Sequence, residues 1–282
     1  MKPTGPATLL RRALVAKVQG LFNDRLRGEA PVNRSSAALF APDSIIWRVH
    51  GDVTTMMIGG VSALLLQMLH PAALAGVLEH SNFRSDMLGR LRRTARFIAL
   101  TTYGEARAGE HAIAHVRSIH ETVQGILPNG APYRASDPRL LAWVHVVEAS
   151  CFLNAWVRYG DPAMSRRDQD TYFAEAAHVA RALGADPVPV TAAQARALLD
   201  SYRPHLAVDH RTEEVCQLIL HPRPATLGDA PVQALLIQAS VDLLPEWARA
   251  MHGLSRSGLG APLVYGGAMA VAGTLRWAFA QP

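Results

Sequence analysis

The stretch that most restricts what this chain can fold into is LLAWVHVVEASCFLNAWV, residues 140–157. Asp137-Pro138 opens it, an N-cap acid followed by proline at the first helical position, and Gly160 closes it. Between those signals the chain is apolar on nearly every side of a 3.6-residue wheel. A helix that is apolar all round has to be buried, so this segment predicts a central helix with the rest of the chain packed around it. Its polar exceptions are His145, Glu148 and Asn154. His145 and Glu148 stand one turn apart. A buried carboxylate is costly unless paired. The spacing therefore predicts a His145–Glu148 hydrogen bond, either structural or holding a ligand histidine in orientation.

The other apolar segments repeat the helical period, and alternating β-branched runs are nearly absent. With 282 residues, 49% of them hydrophobic, the chain is long enough to bury one large core. The expected architecture is all-α. One domain covers 43–282, and an N-terminal extension and connector covers 1–42. Pro6–Phe22 reads as a basic surface helix and 23–42 as a polar connector containing Gly and Pro. Further helices are predicted over 53–69, from Pro71, and over 90–100, 167–183, 191–202 and 210–220. Two more run over 231–251, interrupted at Leu244-Pro245, and over 266–280. Segments 79–89 and 127–136 read as loops. There is no phosphate-cradling glycine loop, no G-x-S-x-G and no H-E-x-x-H.

Charge narrows the function classes. The formal net charge of +5 is modest and scattered, apart from Arg84, Arg90, Arg92, Arg93 and Arg96. Nucleic-acid binding would need such a cluster interleaved with exposed aromatics. Its neighbours Leu91 and Phe97 read as core, so no nucleic acid is expected. Cys151 and Cys216 both fall in apolar helical segments, which suits a reducing compartment. Arg11-Arg12 is followed by too short and too charged a run for a secretion signal. A cytoplasmic location is the expectation. Val53–Leu78 is long enough to span a bilayer, but Gln67, His70 and Pro71 break it, and it reads as two buried helices. Ser257–Leu275 contains five glycines and is interrupted early by Pro262. That run is the candidate for a weak peripheral membrane contact.

One further segment bears on chemistry. Gly109–Gly125, GEHAIAHVRSIHETVQG, reads as one helix of about four turns, closed by Gly125 with Pro128 soon after. Ile113, Val116, His120 and Val123 fall on one stripe, while His111 and His115 fall on the opposite, solvated side. A single imidazole, His120, thus enters the apolar stripe, with Arg117 one turn before and Gln124 one turn after. It reads either as a core histidine bonded to a backbone carbonyl or as a neutral imidazole offered to a cofactor metal in a dry pocket. His70-Pro71 marks the junction of two apolar helices, where His70 is either a cap or a side chain looking into a cavity. Arg90, Arg93, Thr94 and Phe97 are neighbours on one helix face.

Three blocks taken together carry a resemblance: GGVSALLLQMLHPAALAGVLEHSNFRSDMLGRLRRTARF, VRSIHETVQG and YRASDPRLLAWVH. The chain resembles the haem-dependent oxygenase family of the latex-clearing proteins (rubber oxygenases) and the fungal prenyl-chain oxygenase of the mycophenolic acid pathway. The likeness covers roughly Asp52–Pro204, with a weaker echo at LPEWAR, Leu244–Arg249. It implies haem b, held by the histidine of a V-R-x-x-H-x-x-V pattern. Here that pattern is Val116, Arg117, His120 and Val123, so His120 is the implied iron ligand. The family's R-x-x-K-T motif near the haem matches Arg90, Arg93 and Thr94. Arginine stands in place of the lysine and cannot exchange a proton. The distal glutamate of the rubber enzymes has no counterpart; the matching region holds Gln67, His70 and Pro71, which makes His70 the distal candidate. The family's polar residue on the long buried helix matches His145. The implied cofactor-binding set is Arg90, Arg93, Thr94, Arg117, His120, Gln124 and His145, and the implied catalytic set His70, Arg93 and Thr94. The implied activity is a haem oxygenase using O2 on a small apolar, terpenoid or lipid-like, substrate. The alternatives are a peroxidase or peroxygenase on the same haem, and a non-catalytic haem- or lipid-binding helical protein.

Overall fold

The computed structural model describes residues 5–23, 30–222 and 226–280. Among them the chain forms thirteen α-helices and one short antiparallel hairpin, so the fold is all-α. The central helix is α7, Pro138–Tyr159. Asp137 caps it, its carboxylate accepting from the amides of Arg139 and Leu140. Trp143, Val146, Phe152 and Tyr159 are among its buried side chains, and each such burial is worth about 1.5–3 kcal/mol.

Helix α3, Val53–Gln67, lies along α7. Gly59 permits this: a Cβ there would come within 2.9 Å of the Phe152 ring and 3.0 Å of the Cys151 carbonyl. The Trp143 indole donates to the Gln67 carbonyl at 3.2 Å and ties the C-terminus of α3 to α7. Helix α4, Pro71–His80, follows at a 105° bend. Both helices are largely buried, as the broken 53–78 run predicts.

Around this pair sit α2 (Ile45–His50), α8 (Arg166–Leu183), α9 (Ala192–Tyr202), α10 (His210–Leu220), α11 (Ala230–Leu243) and α12 (Glu246–Met251). Helix α1, Pro6–Phe22, docks on the last helix, α13 (Ala261–Phe279), where Arg11 Nε donates to the Ala278 carbonyl at 2.8 Å. The Asn23–Pro42 connector falls partly outside the described residues; within them, Ala38 forms a β-bridge with Glu105.

Helix α5 is Met87–Tyr103 and α6 is Ala106–Thr122. Here the expected boundaries need correction. Helix α5 starts three residues before Arg90, because the Asp86 carboxylate caps it by accepting from the Gly89 amide at 2.8 Å. Helix α6 stops before Gly125. Its continuation, Gln124–Ile126 (β1), pairs with Pro132–Arg134 (β2), a hairpin inside the segment read as a loop. Gln124 is therefore not one helical turn after His120. Likewise Pro262 does not interrupt the last helix but occupies its first turn, where a missing amide is no loss.

Candidate functional site

Helices α5 and α6 pack on one another but are thinly covered from within. Only Thr101 and Thr102 of α5, and Gly109 and Ile113 of α6, are buried. This layer carries the residues of interest; α6 packs on α8, and the charge of Glu148 on α7 reaches Arg90 on α5.

His120 lies in the last turn of α6. It is half-buried, and its Nδ1 atom is buried without a hydrogen-bond partner. Burial, and next the positive charge of Arg90, lower its pKa. At neutral pH the ring is uncharged and keeps a free lone pair. The stripe read from the sequence holds: Ile113 is buried and Val116 half-buried, while His111 and His115 are exposed.

Arg90 projects from α5 into the same region. Burial depresses its pKa, the negative charge of Glu148 opposes that, and Arg93 adds to it. Glu148 comes from α7. Burial pushes its carboxyl up to about 7, against the pull of Arg90. Here the expected His145–Glu148 hydrogen bond fails. Glu148 makes no hydrogen bond to His145; the charge of Arg90 on another helix acts on it, and the His145 Nε2 atom is buried with no partner. Burial lowers the pKa of His145 to about 4, with Arg181 contributing. One turn of separation puts the two side chains on adjacent rows of α7, but each meets a different neighbour.

Behind Glu148 lies a second polar chain. His50 bridges the Thr102 hydroxyl and the Tyr172 hydroxyl, each at 3.0 Å, and burial drops its pKa to about 3. Cys151 and Tyr172 both feel the Glu148 carboxylate, which adds to the upward push of burial on each. None of these was singled out as a site residue in the sequence. The sequence signal for this region is the cost of burying Glu148.

The remaining candidates are dispersed. His70 is the N-cap of α4; its Nδ1 accepts from the Ala72 amide at 3.3 Å, and its ring lies against Trp143 and Tyr202. Trp143 and His145, two residues apart, project to nearly opposite sides of α7. His70 thus does not join His145 and Glu148. Arg93 is exposed and ion-paired with Asp86 at 3.5 Å, and Thr94 is half-buried on α5. Arg117 is exposed and ion-paired with Glu121 at 3.5 Å; Gln124 is exposed on β1. The structure brings together His120 and Arg90 and adds Glu148. It leaves Arg93, Arg117 and Gln124 at the surface.

Among the described residues no group of three or more His, Cys, Asp or Glu side chains could hold a metal ion. A protein-only metal site is therefore absent there. A macrocycle that brings its own four nitrogens needs only one or two protein ligands, and an orphaned, uncharged imidazole nitrogen suits that role. Two surface cavities, of about 380 and 500 Å³, lie elsewhere. The first is lined by Arg158, Asp242 and Arg249, the second by Arg34, Trp47 and Arg276.

Comparison with known proteins gives one match. The family described as "ER-bound oxygenase mpaB/B'/Rubber oxygenase, catalytic domain" matches residues 47–276. No curated protein and no solved structure matches the chain significantly.

Proposed function

We infer that this chain, which belongs to the ER-bound oxygenase mpaB/B' and rubber oxygenase catalytic-domain family and is accordingly an oxygenase, works with haem b and O2 on a small apolar substrate. The observation that carries the cofactor is the buried, unpartnered Nδ1 of His120 on a thinly covered helix. Bound haem supplies the redox chemistry for using O2, which protein side chains lack.

The chain's own residues supply the rest. His120 would offer its uncharged ring to the iron of the cofactor. Arg90, half-buried and close enough for its charge to act on His120, would provide positive charge for the carboxylates of the cofactor. Glu148, with a carboxyl near pH 7, holds a proton in the interior and can release it there. The apolar flanks of α3 and α7 exclude water and accept a hydrocarbon, terpenoid or lipid-like. Thr94 is half-buried on the same helix as Arg90, and Arg93 stays at the surface with Asp86. His70 serves as a helix cap. The two cysteines are free and buried, which agrees with a cytoplasmic setting.

The test is an absorption spectrum of purified protein reconstituted with hemin, with and without dithionite. Wild type gains a Soret band, and His120→Ala, still helical by circular dichroism, loses it. A His120→Ala protein with an undiminished band overturns the assignment. The second orphaned imidazole nitrogen, on His145, supports one other reading: a non-catalytic haem carrier in which both histidines would hold the iron. That reading requires a low-spin spectrum in both oxidation states, which His145→Ala converts to high spin.

A further inference from the structure

The last helix presents an apolar strip to solvent. Leu259, Leu263, Gly266, Ala270, Gly273 and Trp277 follow at spacings of four and three residues, and all six are exposed. Leu263 is 79% exposed and Leu259 fully so. The segment Gly258–Phe279 is long and apolar enough to cross a membrane, yet little of it is buried. Its opposite face is fixed: Ala268, Ala272 and Ala278 are buried, and Gly267 sits directly on Leu235. A helix held along one side by α1, α3 and α11 cannot insert upright. It can lie in an interface with its free side down.

Charge selects the interface. Helix α1 lies beside α13, fixed by the Arg11–Ala278 hydrogen bond, and Leu9 and Leu10 of the one and Trp277 and Phe279 of the other are exposed. Residues 5–22 and 253–280 carry Arg11, Arg12, Lys17, Arg256 and Arg276, and no Asp or Glu. The whole chain, by contrast, has 28 basic and 23 acidic residues. Of the five, Lys17 is ion-paired with Asp229 and Arg276 with Asp52, so Arg11, Arg12 and Arg256 set the sign of this face. A second copy laid on it would set like charges against each other. An anionic bilayer complements both the cations and the apolar strip.

We propose that the α1–α13 face docks on anionic phospholipid, with Leu259, Leu263 and Trp277 entering the acyl boundary and Arg12 and Arg256 meeting headgroups. Such docking puts the domain where apolar substrates partition. The proposal stands on surface residues alone and is independent of the haem assignment.

The experiment is co-sedimentation of the full chain with vesicles of phosphatidylcholine, alone or mixed with phosphatidylglycerol, at low and high salt. Wild type pellets with the mixed vesicles and less so in high salt. Leu263→Asp and Trp277→Asp, at exposed positions and helical by circular dichroism, lower the partition about tenfold or more. Arg12→Ala lowers it about fivefold on the mixed vesicles only. Failure to pellet with mixed vesicles, or pelleting indifferent to Leu263→Asp, overturns the proposal. A dimer that Leu263→Asp dissociates, in protein that ignores vesicles, assigns the face to a second copy and equally overturns it.

Discussion

Replacing Glu148 by Gln isolates the energetic role of the interior carboxyl. Its pKa rises from the ordinary 4.5 to about 7 on folding, because burial disfavours the charge more than Arg90 favours it. Between those two pH values the unfolded chain has lost the proton and the folded chain keeps it. Unfolding then releases a proton, so stability falls as pH rises through that window. At about 1.4 kcal/mol per pH unit, a shift of that size amounts to roughly 3 kcal/mol by pH 8. Glutamine keeps the shape and cannot ionise. Folded wild type carries the Glu148 charge near Arg90 only above about pH 7, so its loss belongs to the same titration and is already contained in the shifted pKa. The observable is therefore the difference between wild type and variant, which cancels the buried histidines: His50, His70 and His145 have lowered pKa values and destabilise both proteins alike as pH falls below 6.5. Urea unfolding of haem-free protein, followed by circular dichroism at pH 5, 6, 7 and 8, gives that difference directly. Glu148→Gln should gain on wild type by about 2–3 kcal/mol from pH 5 to pH 8. A difference that stays flat, or that moves the other way, would mean that Glu148 is ionised as an ordinary exposed acid or fully matched by Arg90, and the account of the interior given above would fail.

Two other changes test the frame that holds the site. Gly59→Ala forces a methyl group against the Phe152 ring and the Cys151 carbonyl, and should lower stability by about 1–3 kcal/mol in the same urea titration; an unchanged midpoint would show that α3 does not depend on close approach to α7. Asp137→Ala removes a cap that serves two amides of α7, and should cost about 1 kcal/mol with no change in the hemin spectrum.

The parts of this molecule that were legible in its sequence are those written within one helix. The all-round apolarity of 140–157 announces the central helix, and the period of 113–123 puts His120 on the inward stripe, because both patterns repeat at 3.6 residues and need no neighbour to be read. What failed needed a second element. The start of α5 depends on the Asp86 side chain folding back on Gly89, inside a polar stretch without period. Gln124 left the helix because β1 found a partner in β2. His70 had two readings at a helix junction, and only the position of the Ala72 amide and of Trp143 chooses the cap. The Glu148 partner is the sharpest case. Local spacing offers His145, one turn away, and the cost of burying a carboxylate favours that pairing. A carboxylate gains more from a guanidinium, which is charged at every relevant pH, than from an imidazole that burial holds neutral. His145 and His120 are left with unclaimed nitrogens. Unclaimed by the protein, they are open to a ligand that the protein does not make.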